Sequence, residues 1–150
     1  MVIPIFNEEE NIPELYARLA AVMGKLGTYE IIMVDDGSRD RSWEIIKELH
    51  EKDSGVKGIS FSCNFGHHIA ITVGIDNANG DAVILMDGDL QYPPEEIPKL
   101  YDKFKEGYEL VYGIRRERNA PLLKRIISAM FWGILRKFSG VDMPKGQTLL

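Results

Sequence analysis

The stretch AVILMDGDLQ, residues 82–91, is an unbroken apolar run that leads directly into two aspartates. Five consecutive apolar residues, followed closely by Pro93-Pro94, predict a short buried strand. Asp87 and Asp89 then come just beyond its carboxyl end, the edge where open α/β sheets bind ligands. Two carboxylates one residue apart can reach one hard divalent cation, whereas Asp and Gly also favour a plain polar turn. Taken alone, the stretch leaves both interpretations open.

The same order, an apolar run followed by polar residues, recurs along the chain. Further strands are predicted at 2–6, 29–34, 56–63 and 110–112, and helices at 11–26, 41–51, 68–78 and from Pro94 onwards. Strands that alternate with helices predict an α/β fold with a mainly parallel sheet and helices on both faces. Because the strand runs are nearly all apolar, we expect both faces of the sheet to be buried.

Right-handed crossovers should bring the carboxyl ends of these strands to one edge. The polar groups expected there are Asn7-Glu8, Asp35-Asp36, Asn64 and Asp87 to Asp89. The chain therefore concentrates carboxylates and amides in one cleft, although the fold does not require any of these groups there.

Composition excludes several classes of protein. The 150 residues, 45% apolar and 27% charged, suffice for one globular core. A net charge of −5 argues against nonspecific nucleic-acid binding as the main role. The single cysteine, Cys63, excludes an internal disulfide framework and fits a reducing compartment, so we expect a cytoplasmic location. No signal-peptide pattern is visible, and the apolar run at 126–135 is about half of the ~20 residues that a membrane span needs.

The end of the first predicted strand offers groups for a flat ligand. Pro4, Phe6, Asn7 and Glu8 lie there, and the proline at the strand end together with the aromatic ring just outside it could form a platform for a flat base. The alternative is a plain loop followed by a solvated acidic run.

Asp35 and Asp36 end the second predicted strand. One of them can accept hydrogen bonds from a nucleobase imide or a ribose hydroxyl, as acidic residues do at such strand ends. The alternative is helix capping, but Asp40 is better placed for that, so we favour the ligand role for the pair. After the third strand, His67-His68 is not expected to form a zinc site, because adjacent side chains diverge. A loop that closes over phosphate, or a simple helix start, fits better.

Two basic segments follow the fifth predicted strand. Arg115, Arg116 and Arg118 suit phosphate, which the planar guanidinium binds through two oxygens, or they form a solvated turn. Residues 121–138 predict a basic amphipathic helix, which either lies in a membrane interface or covers the core.

Five stretches in order resemble the family 2 glycosyltransferases with the GT-A fold. The chain is most similar to the polyprenyl-phosphate group, which includes dolichol-phosphate mannosyltransferase and bactoprenol glucosyltransferase. The matching stretches are VIPIFNEE (2–9), VDDGS (34–38), NFGH (64–67), GDAVILMDGDLQ (80–91) and VYGIR (111–115).

The resemblance implies transfer of a sugar from a UDP- or GDP-sugar donor to a polyprenyl-phosphate acceptor, at the cytoplasmic face of the membrane. It implies Mg²⁺ or Mn²⁺ held by Asp87, Asp89 and Gln91. It implies catalytic roles for Asp89, Arg115 and Arg118. The donor would lie against a larger set of residues: Pro4, Phe6, Asn7, Glu8, Asp35 or Asp36, Gly37, Asp87 and Gly88.

Family members usually start the first strand a few residues earlier and complete the active site with an acidic, glycine-containing segment. Residues 140–144 would begin that segment here, and six residues follow it. We therefore expect a truncated chain with a nucleotide-sugar-binding core at 1–118 and a basic helix with an incomplete C-terminal segment at 119–150. The alternative to a working transferase is a non-catalytic remnant that binds the nucleotide sugar.

Overall fold

The computed structural model describes residues 1–113 of the chain. Residues 1–106 form one compact unit, and a second unit begins at Gly107. The predictions for Arg115, Arg116, Arg118 and the helix at 121–138 lie outside the described residues, and the proposed division at 118/119 stays a prediction.

Three parallel strands form the sheet, in the order β1-β2-β3. The strands are β1 (Val2–Ile5), β2 (Ile31–Asp35) and β3 (Val56–Ser60). The helices are α1 (Ile12–Met23), α2 (Ser42–Lys52), α3 (His67–Asp76) and α4 (Ile97–Lys105), the last preceded by a 3₁₀ turn at Pro94–Glu96. The predicted α/β fold with a parallel sheet is confirmed.

Alternate residues of β1 and β2 pack on opposite faces of the sheet. Ile3 and Met33 belong to the cluster that packs with α1 and α2. Val2 and Ile32 belong to a smaller cluster that includes Ala70 of α3. Because every residue of β1 and β2 is buried, their continuous apolar runs reflect a sheet covered on both sides, as predicted.

The third strand departs from the prediction. It ends at Ser60 rather than at residue 63, and only Val56 is fully buried along it. In the described part of the chain β3 is the outer strand of the sheet. Its free edge and most of its residues are exposed, so most of its positions do not have to be apolar.

The predicted strand at 82–86 lies where it was expected but is barely formed. Val2 N–H donates to Ile84 O at 2.8 Å and Met86 N–H donates to Val2 O at 3.2 Å, which makes a single parallel bridge beside β1. This segment therefore continues the sheet past β1 and delivers Asp87 to the carboxyl edge, although it is too short to count as a strand.

The predicted strand at 110–112 was wrong, since these residues form no strand. Leu110 is 79% exposed. An apolar run of three residues does not specify a strand unless a neighbouring strand pairs with it.

Helix α1 begins where predicted but ends earlier. Asn11 precedes the helix, as predicted, but its side chain does not cap it; instead Asn11 Nδ2 donates to Glu8 Oε2 at 2.5 Å. The helix ends at Met23, short of the predicted position. Among residues 1–113, no helix combines the length and the apolar character that crossing a membrane requires.

Candidate functional site

The loops that follow β1 and β2 are joined by hydrogen bonds. Asn7, in a left-handed conformation with φ 56°, donates its N–H to Ser38 Oγ at 2.9 Å and accepts from Arg39 N–H at 2.8 Å. The Glu8 N–H donates to Ser42 Oγ at 2.9 Å. The segments after β1 and β2 are therefore joined into one rim, because side chains of each accept hydrogen bonds from backbone N–H groups of the other.

Asp40 completes this rim. Its carboxylate accepts from the N–H of Ser42 at 3.0 Å and from the N–H of Glu9 at 3.1 Å. Burial alone would raise the pKa of this carboxyl, but the hydrogen bonds from Ser42 and Glu9 outweigh it and lower the pKa below its usual value. Asp40 thus lies one residue before the N-cap position of α2, which is Arg41, and its carboxylate joins the first N–H of the helix to the loop after β1.

Asp35 and Asp36 are both buried, with 2% and 3% of their surfaces exposed. Asp35 accepts from Ser38 N–H at 3.2 Å and from Ser60 Oγ at 3.0 Å, which ties the end of β2 to the end of β3. Asp36 accepts from the N–H groups of Phe65 at 2.7 Å and Gly66 at 3.0 Å. Each carboxylate therefore has partners within the protein, and the predicted contact with a nucleoside stays a prediction.

Gly37 lets the loops after β2 and β3 approach each other. It has φ +69°, and a Cβ at this position would lie 2.7 Å from both Asn64 N and Cys63 Cα. Real Cβ atoms essentially never come that close to backbone atoms. The structure thus gives Gly37 a packing role, whether or not a ligand binds beside it.

The acidic pair lies directly beside the end of β1. A Cβ on Gly88, which is buried, would meet Ile5 Cδ1 at 2.7 Å and Glu8 Cγ at 3.7 Å, so the segment passes close over the strand end. The partly exposed Asp87 carboxylate has Oδ1 3.6 Å from His67 Nε2, at the start of α3. The carboxyl edge of the sheet thus brings the loops after β1, β2, β3 and residue 86 together, as the sequence predicted.

Asp89 shapes the turn that follows. Its Oδ1 accepts from Gln91 N–H at 3.0 Å, and Leu90 between them has φ 58°. A positive φ is unusual for a bulky side chain, and such conformations concentrate at functional sites. Leu90 packs against the main core, which offsets the strain of this conformation.

An ion pair fastens the far end of this turn. Arg18 of α1 donates to both carboxylate oxygens of Glu95, at 3.0 and 2.7 Å. The hydrogen bond from Arg18 lowers the pKa of Glu95 to about 2. The segment 87–96 is therefore held by packing at Gly88 and by a bidentate pair at Glu95.

The aromatic groups at the rim differ in accessibility. Phe6 is 43% exposed and is available to a flat ligand, whereas Pro4 is buried inside β1. Phe65 is also exposed and meets Phe61 edge to face, with ring centroids 5.6 Å apart. Of the predicted base platform, Phe6 and not Pro4 presents its ring to solvent.

The carboxylates of Asp87 and Asp89 suit a hard cation whose remaining ligands are waters and phosphate oxygens. Within residues 1–113, no three His, Cys, Asp or Glu side chains are grouped to hold a metal ion by themselves. Asp87 and Asp89 supply carboxylate oxygens, and Mg²⁺ characteristically combines one or two carboxylates with waters and substrate phosphates. These residues therefore suit an ion that binds together with a diphosphate.

Sequence reasoning missed the contacts that join the loops. The approach of His67 to Asp87 and the hydroxyls of Ser38, Ser42 and Ser60 were not predicted to matter. Ser42 could have been found from the sequence, because serine is common at helix starts and Ser42 is the first residue of α2. The His67 contact carried none, since it depends on how α3 packs against the sheet.

The chain matches a known protein family along almost its whole length. The family described as glycosyl transferase family 2 matches residues 1–148. An uncharacterized glycosyltransferase, YkcC, from Bacillus subtilis (strain 168) is 47% identical over 96% of this chain and 45% of its own length. The undecaprenyl-phosphate 4-deoxy-4-formamido-L-arabinose transferase of Shewanella sediminis is 43% identical over 95% of this chain and 44% of its own length. The chain thus spans less than half the length of these curated relatives.

Solved structures show the same fold. The crystal structure of S. aureus TarS 1–349 in complex with UDP-GlcNAc has a TM-score of 0.61 and 25% identity, over 80% of this chain and 36% of TarS 1–349. Its complex with UDP has a TM-score of 0.58 and 23% identity, over 80% and 37% of the two chains. The predicted fold class is therefore confirmed by comparison as well as by topology.

Proposed function

Because the chain belongs to glycosyl transferase family 2, we propose that it transfers a sugar from a nucleoside-diphosphate donor to polyprenyl phosphate. The donor class is supported by the likeness to TarS, which was crystallised with UDP-GlcNAc. The acceptor class is supported by relatives named as undecaprenyl-phosphate sugar transferases.

One observation carries the proposal. The acidic pair packs over the end of β1 at Gly88, and the loops after β1 and β2 are bonded into one rim beside it. A diphosphate held through a cation at Asp87 and Asp89 would therefore lie at the same edge as the exposed ring of Phe6, which follows β1 directly. Recognition of the base and neutralisation of the phosphates then share one edge of the sheet.

Each group has a role that follows from its chemistry. Phe6 would stack on the base, while Asp87, Asp89 and Gln91 would hold Mg²⁺ or Mn²⁺. When bound, such an ion neutralises the charge that develops on the diphosphate as the sugar–phosphate bond breaks. The acceptor phosphate is already anionic and can attack the anomeric carbon without a strong base. Arg115 and Arg118 would bind the acceptor phosphate or stabilise the charge that develops on the leaving diphosphate.

We further propose that the reaction takes place at the cytoplasmic face of a membrane, where a polyprenyl phosphate would present its headgroup. The basic amphipathic pattern at 121–138 supports contact with such a surface.

The test separates donor binding from transfer. Calorimetry with UDP and GDP, with and without Mg²⁺, measures binding, and mass spectrometry of extracted lipid measures sugar transfer to undecaprenyl phosphate. Asp89→Asn keeps the shape of the side chain but removes its charge, and we expect transfer to fall by at least about 100-fold. Asp81→Asn is the matched control, because Asp81 is exposed at the amino end of the same segment.

Equal activity with and without a divalent cation, or in Asp89→Asn, would contradict the assignment of the acidic pair. Binding of UDP or GDP without transfer by the wild-type chain would support the alternative, a chain that binds the donor but does not turn it over.

A further inference from the structure

We propose that His67 is a positioning residue for the Asp87 carboxylate, and that Asp36 fixes His67 by binding the backbone just before it. This inference rests on the proposed function, because Asp87 is proposed to hold the cation that accompanies the donor. It is carried by three contacts in sequence: Asp36 with Phe65 and Gly66, the peptide link to His67, and His67 with Asp87.

The first contact explains why Asp36 is buried. A carboxylate with 3% of its surface exposed needs hydrogen bonds that offset its desolvation, and two consecutive backbone N–H groups supply them. The two groups can converge because Gly66 has φ 100° and ψ 150°, a conformation that is essentially restricted to glycine. Asp36 thus fixes the position of the backbone at Phe65 and Gly66, immediately before α3.

The packing of α3 fixes the direction in which His67 emerges. Ala70 and Gly74 of α3 are buried, and Gly74 lies so close to Val2 of β1 that a Cβ would collide with it. The helix is therefore held against the sheet along its length and by Asp36 at its start. His68 adds an edge-to-face contact with the His67 ring, with centroids 5.8 Å apart.

The last contact acts on Asp87. His67 Nε2 lies 3.6 Å from Asp87 Oδ1, so an N–H at this nitrogen would be directed at the carboxylate. This separation is longer than a formed hydrogen bond, so the contact biases the carboxylate orientation without sequestering the oxygen. Asp87 Oδ1 thus faces the start of α3.

The test is Mn²⁺ binding to the full 150-residue chain in the presence of UDP or GDP, measured by electron paramagnetic resonance. His67→Ala should weaken Mn²⁺ binding about tenfold, the size expected for one oriented interaction with a charged group. His67→Gln should recover most of the loss, since the Gln amide presents an N–H at similar reach. Thr72→Ala, at an exposed position further along α3, should stay within about twofold of wild type.

Asp36→Asn tests the earlier part of the chain of contacts. It should speed hydrogen exchange at the Phe65 and Gly66 amides and weaken Mn²⁺ binding, and Asp36→Asn/His67→Ala should bind no more weakly than His67→Ala alone. A merely structural role for His67 would give additive losses and no recovery in His67→Gln. If Asp36→Asn fails to fold, the His67 variants, which alter an exposed side chain, still decide the question.

The outcomes separate this inference from the proposed function. Wild-type binding in His67→Ala, no recovery in His67→Gln or additive losses would each overturn the positioning role, even if the chain transfers sugar. If the chain binds Mn²⁺ with the expected pattern but transfers no sugar, the proposed function fails and the positioning role stands. Absence of Mn²⁺ binding by the wild-type chain in the presence of either nucleotide would overturn both.

Discussion

Gly37→Ala tests whether the carboxyl edge is built by a close approach of two loops. The new Cβ would lie 2.7 Å from Asn64 N and from Cys63 Cα, and closer still to the carbonyl carbon of Cys63. Ordinary contact begins at 3.4 Å, so relief of the contacts with Asn64 N and Cys63 Cα requires the backbone at 63–64 to retreat by about 0.7 Å, and relief of the closer contact with the Cys63 carbonyl carbon requires more.

The retreat breaks the bonds made by Asp36. If the loop moves as one body, the 2.7 and 3.0 Å bonds from Phe65 and Gly66 lengthen to about 3.4 and 3.7 Å, beyond hydrogen-bond range. Two bonds to a charged group contribute about 1.5–3 kcal/mol each, and Ala in the left-handed region costs about 1 kcal/mol. Some relaxation is expected, so we expect a loss of about 4 kcal/mol in the free energy of unfolding, a large part of the roughly 5–15 kcal/mol typical of domains.

The measurement is urea unfolding together with hydrogen exchange at the Phe65 and Gly66 amides. Gly27→Ala is the control, because Gly27 has φ +126° but nothing lies within 4 Å of the position that a Cβ would occupy there. It should carry a conformational cost of about 1–3 kcal/mol without selective exchange at 65 and 66. If Gly37→Ala leaves those two amides as protected as the rest of the core, the close-approach reasoning is refuted.

Two further predictions concern the elements around the site. The pKa of Glu95 is lowered from 4.5 to about 2 by its hydrogen bonds to Arg18, so this ion pair contributes fully above pH 4.5 and is lost as the pH falls through about 2. Arg18→Ala should return the pKa toward 4.5 in an NMR titration of the Glu95 carboxyl carbon, and an unchanged pKa would exclude Arg18 as the cause. Gly74→Ala should destabilise the chain by about 1–3 kcal/mol despite the better helix propensity of Ala, because its Cβ collides with buried Val2. Urea midpoints should show no such loss in Thr72→Ala, an exposed position of the same helix, and equal midpoints for the two variants would disprove the collision.

Much of the fold was predictable because burial leaves a strong pattern in the sequence. β1 and residues 31–34 of β2 are apolar at every position that packs on either face, so the positions of both strands were predicted to within two residues. The run at 110–112 looks the same over a short window but forms no strand. The difference lies in pairing partners, which the run itself does not encode.

The candidate site was predictable as a place but not as a set of contacts. Parallel topology alone brings Asn7, Asp36 and Asp87 to one edge, because every crossover returns the chain in the same direction. It does not say that Asp36 bonds the loop after β3 rather than projecting into the cleft. The outcome depends on the approach that Gly37 permits.

The sequence by itself determined the α/β order of elements, the edge at which the polar groups collect and the family to which the chain belongs. These follow from local periodicity and from motifs read in order, which need no knowledge of distances. Only the tertiary structure decided that Asp35 and Asp36 have internal partners, that Gly88 passes over Ile5 and that His67 reaches Asp87. The physical reason is that such contacts join residues from different loops, and their distances are set by how α3 and the strands pack against one another.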